Sequence, residues 1–301
     1  MPLGKLRIFF LATRPQFLLL AVTLGVLGAC IAWYDGFFNV WGAALAGIGL
    51  VLAHASCNAL NDYFDYKSGV DKVATVTPFS GGSGLIKRGL LKPEEVSRLG
   101  TVCLLLALLI GLYFCVTKGW LLLPLIVIAT ACVVLYSPVI LKRRWPEWSP
   151  GLGLGILPVL GMYFSQTGTY TLHALIASVP SGFLAHNLLL LNEFPDIEAD
   201  KVGGRKTLPI TMGRRGAAAV YTAFSTLTYV WIVGAVIFKA MPVFTLLALF
   251  TLPLAIKAMG GAFRNEDMDI LMPAMARNVV VVLLTQLFTA VGYVLSGLFR
   301  F

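Results

Sequence analysis

Nine apolar runs, each close to the length a bilayer demands, leave this chain little choice of architecture. They lie at 9–32, 40–62, 95–117, 119–137, 149–166, 170–192, 215–238, 241–262 and 274–298, separated by short polar breaks. A hydrocarbon core of about 30 Å takes roughly 20 apolar residues in helical form to cross, and a helix satisfies its own backbone without water. The pattern predicts nine transmembrane helices in one all-α bundle. With 58% of its 301 residues hydrophobic and 12% charged, the chain has the composition of a polytopic membrane protein. A single membrane domain over residues 1–301 is expected, in place of the two soluble domains that length alone would give.

The first run follows only Lys5 and Arg7, and Gly28, Ala29 and Cys30 near its far end resemble a cleavage site. It is too long for a signal-peptide core, so it reads as a retained helix. The five cysteines (Cys30, Cys57, Cys103, Cys115, Cys132) lie inside apolar runs with no C-x-x-C spacing and read as packed thiols.

Charge sets the expected orientation. One set of connections holds Asp35, Lys118, the uncharged 166–170 and Lys239, and of 23 Lys and Arg only Lys118, Lys239 and Arg300 fall on that side. Basic residues favour the cytoplasm, so the N-terminus should be cytoplasmic and the C-terminus outside. The net charge of +9 is this asymmetry. No basic stripe interleaved with aromatics is present, which argues against nucleic-acid binding. Pro124, Pro158, Pro180 and Pro253 should kink their helices, and bent helices can enclose a central cavity, here expected to open at the cytoplasmic face.

The chemistry concentrates at two helix ends on that face. Asn58, Asn61, Asp62 and Asp65 fall at i, i+3, i+4 and i+7, so two amides and two carboxylates share one helix face. Asp71 follows, and a second stretch supplies Asn192, Asp196 and Asp200. A carboxylate at mid-membrane costs about 2.5–3.5 kcal/mol, less near the interface, and five together repel one another. Hard oxygen ligands without His or Cys select Mg²⁺, which shares its shell with water and substrate phosphate. Lys67 and Lys72 flank the first stretch, Arg205 and Lys206 the second, and Lys142 and Arg143 follow Tyr136-Ser137-Pro138 between them. Acids and bases around a gap imply a metal-bridged diphosphate. At the mouth of a membrane cavity, that points to a lipid diphosphate whose tail lies among the helices. Breaking an allylic C–O bond leaves a negative diphosphate and a delocalised carbocation, with Tyr63, Phe64, Tyr66, Tyr136 and Phe194 as candidates to shield it.

The two stretches also echo each other. Each ends a long apolar helix, and each is followed by glycines and a basic pair, Ser80 to Gly84 with Lys87-Arg88 and Gly203-Gly204 with Arg205-Lys206. This predicts an internal four-helix repeat, roughly 9–137 and 149–262, although transporters carry paired half-sites too.

Asn61-Asp62-Tyr63-Phe64-Asp65 with Asp71, Tyr136-Ser137-Pro138 with Leu141-Lys142-Arg143, and Asp196-x-x-x-Asp200 with Lys206-Thr207 resemble the UbiA superfamily of intramembrane prenyltransferases. Arg14-Pro15 also looks like that family's pattern. The resemblance implies a nine-helix bundle and Mg²⁺-dependent transfer of a polyprenyl chain from its diphosphate to an acceptor. Carried over, Asp62, Asp65, Asp196 and Asp200 would hold metal and act in catalysis, with Asp71 as a further metal ligand. Substrate would meet Arg14, Asn58, Asn61, Lys67, Tyr136, Lys142, Arg143, Asn192 and Lys206. The commonest family form places its third acid where this chain has Gly69, and the spacing to Asp71 looks more like the branch using 1,4-dihydroxy-2-naphthoate for menaquinone. Asn192-Glu193 and Pro195 depart from that branch's Asn-Asn and Arg. The acceptor therefore stays open among 1,4-dihydroxy-2-naphthoate, 4-hydroxybenzoate, a glycerolipid or another ring. Haem is disfavoured by the presence of only His54, His173 and His186, each read as packed or interfacial. A cation-coupled transporter and a lipid phosphotransferase of another fold are the competing classes. Oligomeric state has no signature in the chain.

Overall fold

The computed structural model describes residues 4–299, and no strand occurs among them. In chain order the helices are α1 (Lys5–Ala12), α2 (Pro15–Tyr34), α3 (Val40–Ser68), α4 (Val70–Val73), α5 (Pro93–Lys118), α6 (Leu123–Val134) and α7 (Trp148–Gly151). There follow α8 (Leu157–Thr167), α9 (Leu172–Asn192), α10 (Ile197–Val202), α11 (Leu208–Thr211), α12 (Gly213–Ile237), α13 (Leu252–Ala262) and α14 (Met268–Phe299). Arg300, one of the basic residues weighed for orientation, lies outside the described residues.

Among the described residues, seven segments are long and apolar enough to cross a membrane: α2, α3, α5, α9, α12, Val243–Ala262 and α14. The expected spans at 119–137 and 149–166 are helical but broken. The first is a 3-10 turn, Trp120–Leu122, followed by α6, and the second is α7, a π turn at Leu152–Ile156, and α8. Proline accounts for both. Pro124, Pro158 and Pro253 each stand in the first turn of a helix, α6, α8 and α13, with a 3-10 or π stretch before it. A proline has no N–H to donate and its ring clashes with the carbonyl four residues back, so the helix upstream must retighten or widen. Three of the four expected kinks are thus restarts, and Pro180 alone of that set lies inside a helix.

The first apolar run also divides. Arg14 precedes Pro15, which disfavours the α region, and it adopts φ +52°, ending α1 and beginning α2. At the other end of α2, Asp35 accepts from the Tyr163 hydroxyl at 2.7 Å and approaches His173 at 3.4 Å. Nearby connections meet as well: the Asn39 N–H donates to Gln166 Oε1 at 2.8 Å, and Lys118 Nζ donates to the Gln166 carbonyl at 3.0 Å. Lys118 and Gln166, which the charge analysis grouped on one face, are therefore neighbours.

Inside the bundle, α3 lies along α5, α9 along α12, and α14 along α2 and α13. Leu24, Leu27, Ile31, Tyr163, Leu184 and Tyr293 form the largest buried cluster. Leu109, Val116 and Phe250 point outward and are exposed. Apolar side chains standing outward along helices of spanning length make this an integral membrane protein.

Glycine permits a close crossing between the π turn and α9. A Cβ on Gly155, in the π turn, would sit 2.6 Å from the Gly182 Cα and the Ser181 carbonyl of α9. Both obstacles are backbone, so the helices would have to separate, and such overpacking costs about 1–3 kcal/mol. Gly155→Ala should therefore lower the thermal unfolding midpoint in detergent. Gly260→Ala, where nothing lies within 4 Å, should leave it unchanged.

Candidate active site

The chain turns that follow α3 and α9 bring the two acidic stretches together. α3 ends at Gly69, whose φ of +81° is the left-handed cap that a residue with a side chain adopts only under strain. The chain then folds back through α4, and Asp71 in its first turn is buried beside the end of α3. An acid at position 69 would have had to occupy that cap. After α9, Asp196 stands at the N-terminus of α10 and Asp200 is buried within it.

Arg205 joins the stretches. Its Nη1 donates to Asp200 Oδ1 at 2.7 Å, and its Nη2 pairs with Asp65, 140 residues away in sequence. Arg14 pairs with Asp62, whose two oxygens also accept from the Ser83 N–H at 3.3 and 3.2 Å. The break between α1 and α2 aims Arg14 here, and the Asn58 amide holds that break by donating to the Thr13 carbonyl at 2.9 Å. Asn61 accepts from the Ser137 hydroxyl at 2.8 Å, which ties α3 to the segment after α6.

Most of the charged groups among these surround a cavity of about 1300 Å³, counting its open mouth, although Asp62, held by Arg14 and Ser83, does not itself line it. Arg14, Asn58, Asn61, Asp65, Asp71, Tyr136, Asn192, Asp196, Asp200 and Arg205 line it. A second cavity of about 970 Å³, almost wholly apolar, lies among α2, α3, α5, α6 and α8 and shares His54, Val133, Gly153 and Leu154 with the first. Lys67 and Lys142 do not reach the main cavity. With Ser137 they line a smaller opening, whose shared wall with the main cavity is Asp65 and Arg205. Arg143 and Lys206 are exposed and line none of the three, although the Lys206 N–H donates to the Leu141 carbonyl at 2.9 Å and so fixes the basic loop to the second stretch.

Two contributors were absent from the sequence-derived set. The Gly81 N–H donates to Asp196 Oδ2 at 3.3 Å, and a Cβ on Gly82 would lie 3.2 Å from Asp62 Oδ1 and 3.5 Å from Asp71 Oδ1. Gly81 and Gly82 both have positive φ, so the backbone here presents donors that side chains would obstruct. The glycine run itself was the available signal. Glu147 was also missed. It is fully buried, accepts from the Leu208 N–H at 2.6 Å and stands beside the buried carboxyl of Glu193.

The electrostatics are lopsided. Asp62, Asp65 and Asp200 have guanidinium partners, whereas Asp71 and Asp196 form no ion pair among the described residues. Burial, reinforced by Asp65 and Asp62, pushes the Asp71 carboxyl up to about 7. Burial with Asp200 beside it does the same to Asp196, also about 7. Glu193 is raised well above the carboxylate range by burial and by Glu147. Among the described residues no three His, Cys, Asp or Glu side chains form a ready metal cluster, because Arg14 and Arg205 stand between the carboxylates. The donors nevertheless suit a hard divalent cation. They are all oxygens, carboxylates outnumber guanidiniums, and the buried Asn192 Oδ1 faces this cavity without a partner.

A 1,4-dihydroxy-2-naphthoate octaprenyltransferase of Bacillus subtilis (strain 168) is 29% identical over 263 residues, covering 86% of this chain and 83% of that protein. A digeranylgeranylglyceryl phosphate synthase of Thermococcus kodakarensis is 30% identical, covering 75% of this chain and 76% of its own length. Among solved structures, a UbiA homolog from Archaeoglobus fulgidus bound to GPP and Mg²⁺ superposes with a TM-score of 0.61 at 16% identity, over 94% of this chain and 99% of that one. The profile described as the UbiA prenyltransferase family spans residues 17–296, nearly the whole bundle including both acidic stretches, and the chain therefore belongs to that family and is a membrane prenyltransferase.

Proposed function

We propose that this enzyme transfers a polyprenyl chain from its diphosphate to 1,4-dihydroxy-2-naphthoate, in menaquinone formation, with Mg²⁺ as cofactor. The observation that carries this reading is the Asp65–Arg205–Asp200 bridge, which gathers both acidic stretches at one cavity, beside an almost wholly apolar one that shares four of its lining residues. A substrate with a diphosphate head and a hydrocarbon tail matches that division. The spacing to Asp71 and the Bacillus subtilis relative favour the naphthoate acceptor. The Thermococcus kodakarensis relative makes glycerolipid transfer the alternative to exclude.

Asp62, Asp65, Asp71, Asp196 and Asp200 are the residues that would hold Mg²⁺, and a neighbour of this fold has been solved bound to GPP and Mg²⁺. The cation, when bound, would offset the charge that develops on the departing diphosphate. Arg14 and Arg205, with forked donors matched to phosphate oxygens, would bind the same group, and Asn58, Asn61 and Asn192 would orient it. Lys67, Lys142, Arg143 and Lys206 form a basic rim that would draw diphosphate toward the mouth. In the transfer, the prenyl C–O bond breaks with its electron pair going to diphosphate. A ring-carbon-to-prenyl bond forms, and the ring carboxylate leaves as carbon dioxide. Tyr136 and the apolar wall keep water from the cation formed on the way.

The same reading takes all nine runs as spans, the broken pairs α6 and α7–α8 included, with the N-terminus and cavity mouth on the cytoplasmic side. It treats 1–301 as one domain with a four-helix repeat. Each acidic stretch ends a long helix, α3 or α9, and continues into a short one, α4 or α10, which supports that symmetry.

Product mass spectrometry tests the acceptor. Membranes given Mg²⁺, a labelled polyprenyl diphosphate and 1,4-dihydroxy-2-naphthoate should yield demethylmenaquinone-type product, reduced on the order of 10²-fold or more by Asp65→Ala. Product found only with a glycerol phosphate acceptor would reassign the branch.

The acid excess gives a second test. Asp71 and Asp196 keep their protons in the folded state up to about pH 7, whereas the unfolded chain releases them near pH 4. The folded state then binds more protons across that interval, so stability falls as pH rises through it. In chelator, the melting temperature should drop between pH 5 and pH 8, and millimolar Mg²⁺ should restore it more at pH 8 than at pH 5. A melting temperature that rises with pH in chelator would contradict the reading of these two acids.

A further inference from the structure

His54 stands apart from the other histidines. His173 bonds the Tyr293 hydroxyl at 2.9 Å, and His186 accepts from the Trp145 indole at 2.9 Å while its Nδ1 meets Asn187 at 3.2 Å. His54 is 4% exposed, and its Nδ1 is buried with no hydrogen-bond partner. It lies on α3 eight residues before Asp62, which is about 12 Å deeper along the helix. There it lines both cavities, with Val133, Gly153 and Leu154 as the other residues common to the two.

An imidazole without a partner is a poor packing residue, because leaving a buried polar group unpaired destabilises the fold. A hydrocarbon tail passing this point could not satisfy it. A diphosphate would stay with the guanidiniums near the mouth. What suits the junction is a flat molecule with apolar faces and a hydroxyl at its edge.

The other residues of the junction come from two elements. Gly153 and Leu154 belong to the π turn Leu152–Ile156, an irregularity frequent at functional sites. A Cβ on Gly153 would come within 2.9 Å of the Cys132 Cβ, so glycine lets this turn lie close against α6, which supplies Val133. The junction of the two cavities is therefore bounded by the His54 ring, Val133, Gly153 and Leu154.

We infer that His54 positions the acceptor, hydrogen-bonding a hydroxyl of an aromatic ring that lies at the junction of the two cavities. This inference rests on the prenyl-transfer reading and narrows it: the acceptor is a hydroxylated planar ring, since a glycerol phosphate would leave the apolar Val133 and Leu154 side chains there uncovered. No proton transfer is assigned to His54. It fixes the ring between the diphosphate end and the apolar cavity, where the prenyl carbon is released.

Steady-state kinetics on the full chain in detergent test it, with Mg²⁺, a polyprenyl diphosphate and 1,4-dihydroxy-2-naphthoate each varied in turn. His54→Leu should raise the acceptor KM about tenfold while leaving the donor KM within about twofold. His54→Gln, which keeps a hydrogen-bonding group, should recover most of the loss. His54→Phe serves in place of the leucine variant if that one does not fold. An acceptor KM indifferent to residue 54, a glutamine variant no better than leucine, or donor and acceptor KM rising together would each overturn the inference. If the parent enzyme transfers to no aromatic ring, the proposed function and this inference fall together. If it transfers normally but ignores residue 54, the inference falls alone.

Discussion

The arrangement of this enzyme depends on one guanidinium. Arg205 holds Asp65 and Asp200 at once, and without it two long helices would each end in carboxylates that repel those of the other. Charge pairs of this kind are expensive to bury, and breaking one by removing a partner typically costs about 3–5 kcal/mol. Here the pairing is incomplete, because Asp71 and Asp196 have no cationic partner among the described residues. A fold that gathers more buried carboxylates than guanidiniums around one cavity has a standing deficit of positive charge. The deficit is the physical reason to connect the site with a divalent cation and a diphosphate.

Backbone irregularities carry much of the positioning. Arg14 reaches Asp62 because Pro15 forbids its residue a helical conformation and splits the first apolar run. Gly69 turns the chain back so that Asp71 can face the cavity, which explains an acid two residues later than the commonest family spacing. Gly81 donates its N–H to Asp196, and Gly82 brings the backbone up to Asp62 and Asp71, where a side chain would be tight. The prolines that open α6, α8 and α13 break helices that hydropathy alone would draw as straight rods, and the π turn ahead of α8 supplies residues that line both cavities.

Much of this was legible in the residues. The acid face of α3 followed from helical spacing, and its union with the second stretch from the shared company of acids, glycines and bases. Hydropathy could not show where helices break, because a run such as 149–166 is apolar whether it is one helix or three pieces. Lys67, Lys142, Arg143 and Lys206 were placed at the site by sequence proximity. Long basic side chains near an interface turn toward water, and these four lie outside the main cavity. Glu147 and His54 were the hardest to read. Each is a lone polar residue whose significance is that it is buried, and burial is a property of tertiary packing.

The central claim is that both acidic stretches act on one bound diphosphate, and equilibrium binding tests it without requiring chemistry. Purified enzyme would be titrated with a non-hydrolysable prenyl diphosphate analogue in Mg²⁺ and in chelator, beside Asp65→Asn and Asp200→Asn. The account predicts tight binding only with Mg²⁺, and loss of that Mg²⁺-dependent binding in each single variant. If either variant bound the analogue as the parent does, with the same dependence on Mg²⁺, the two stretches would not form one site.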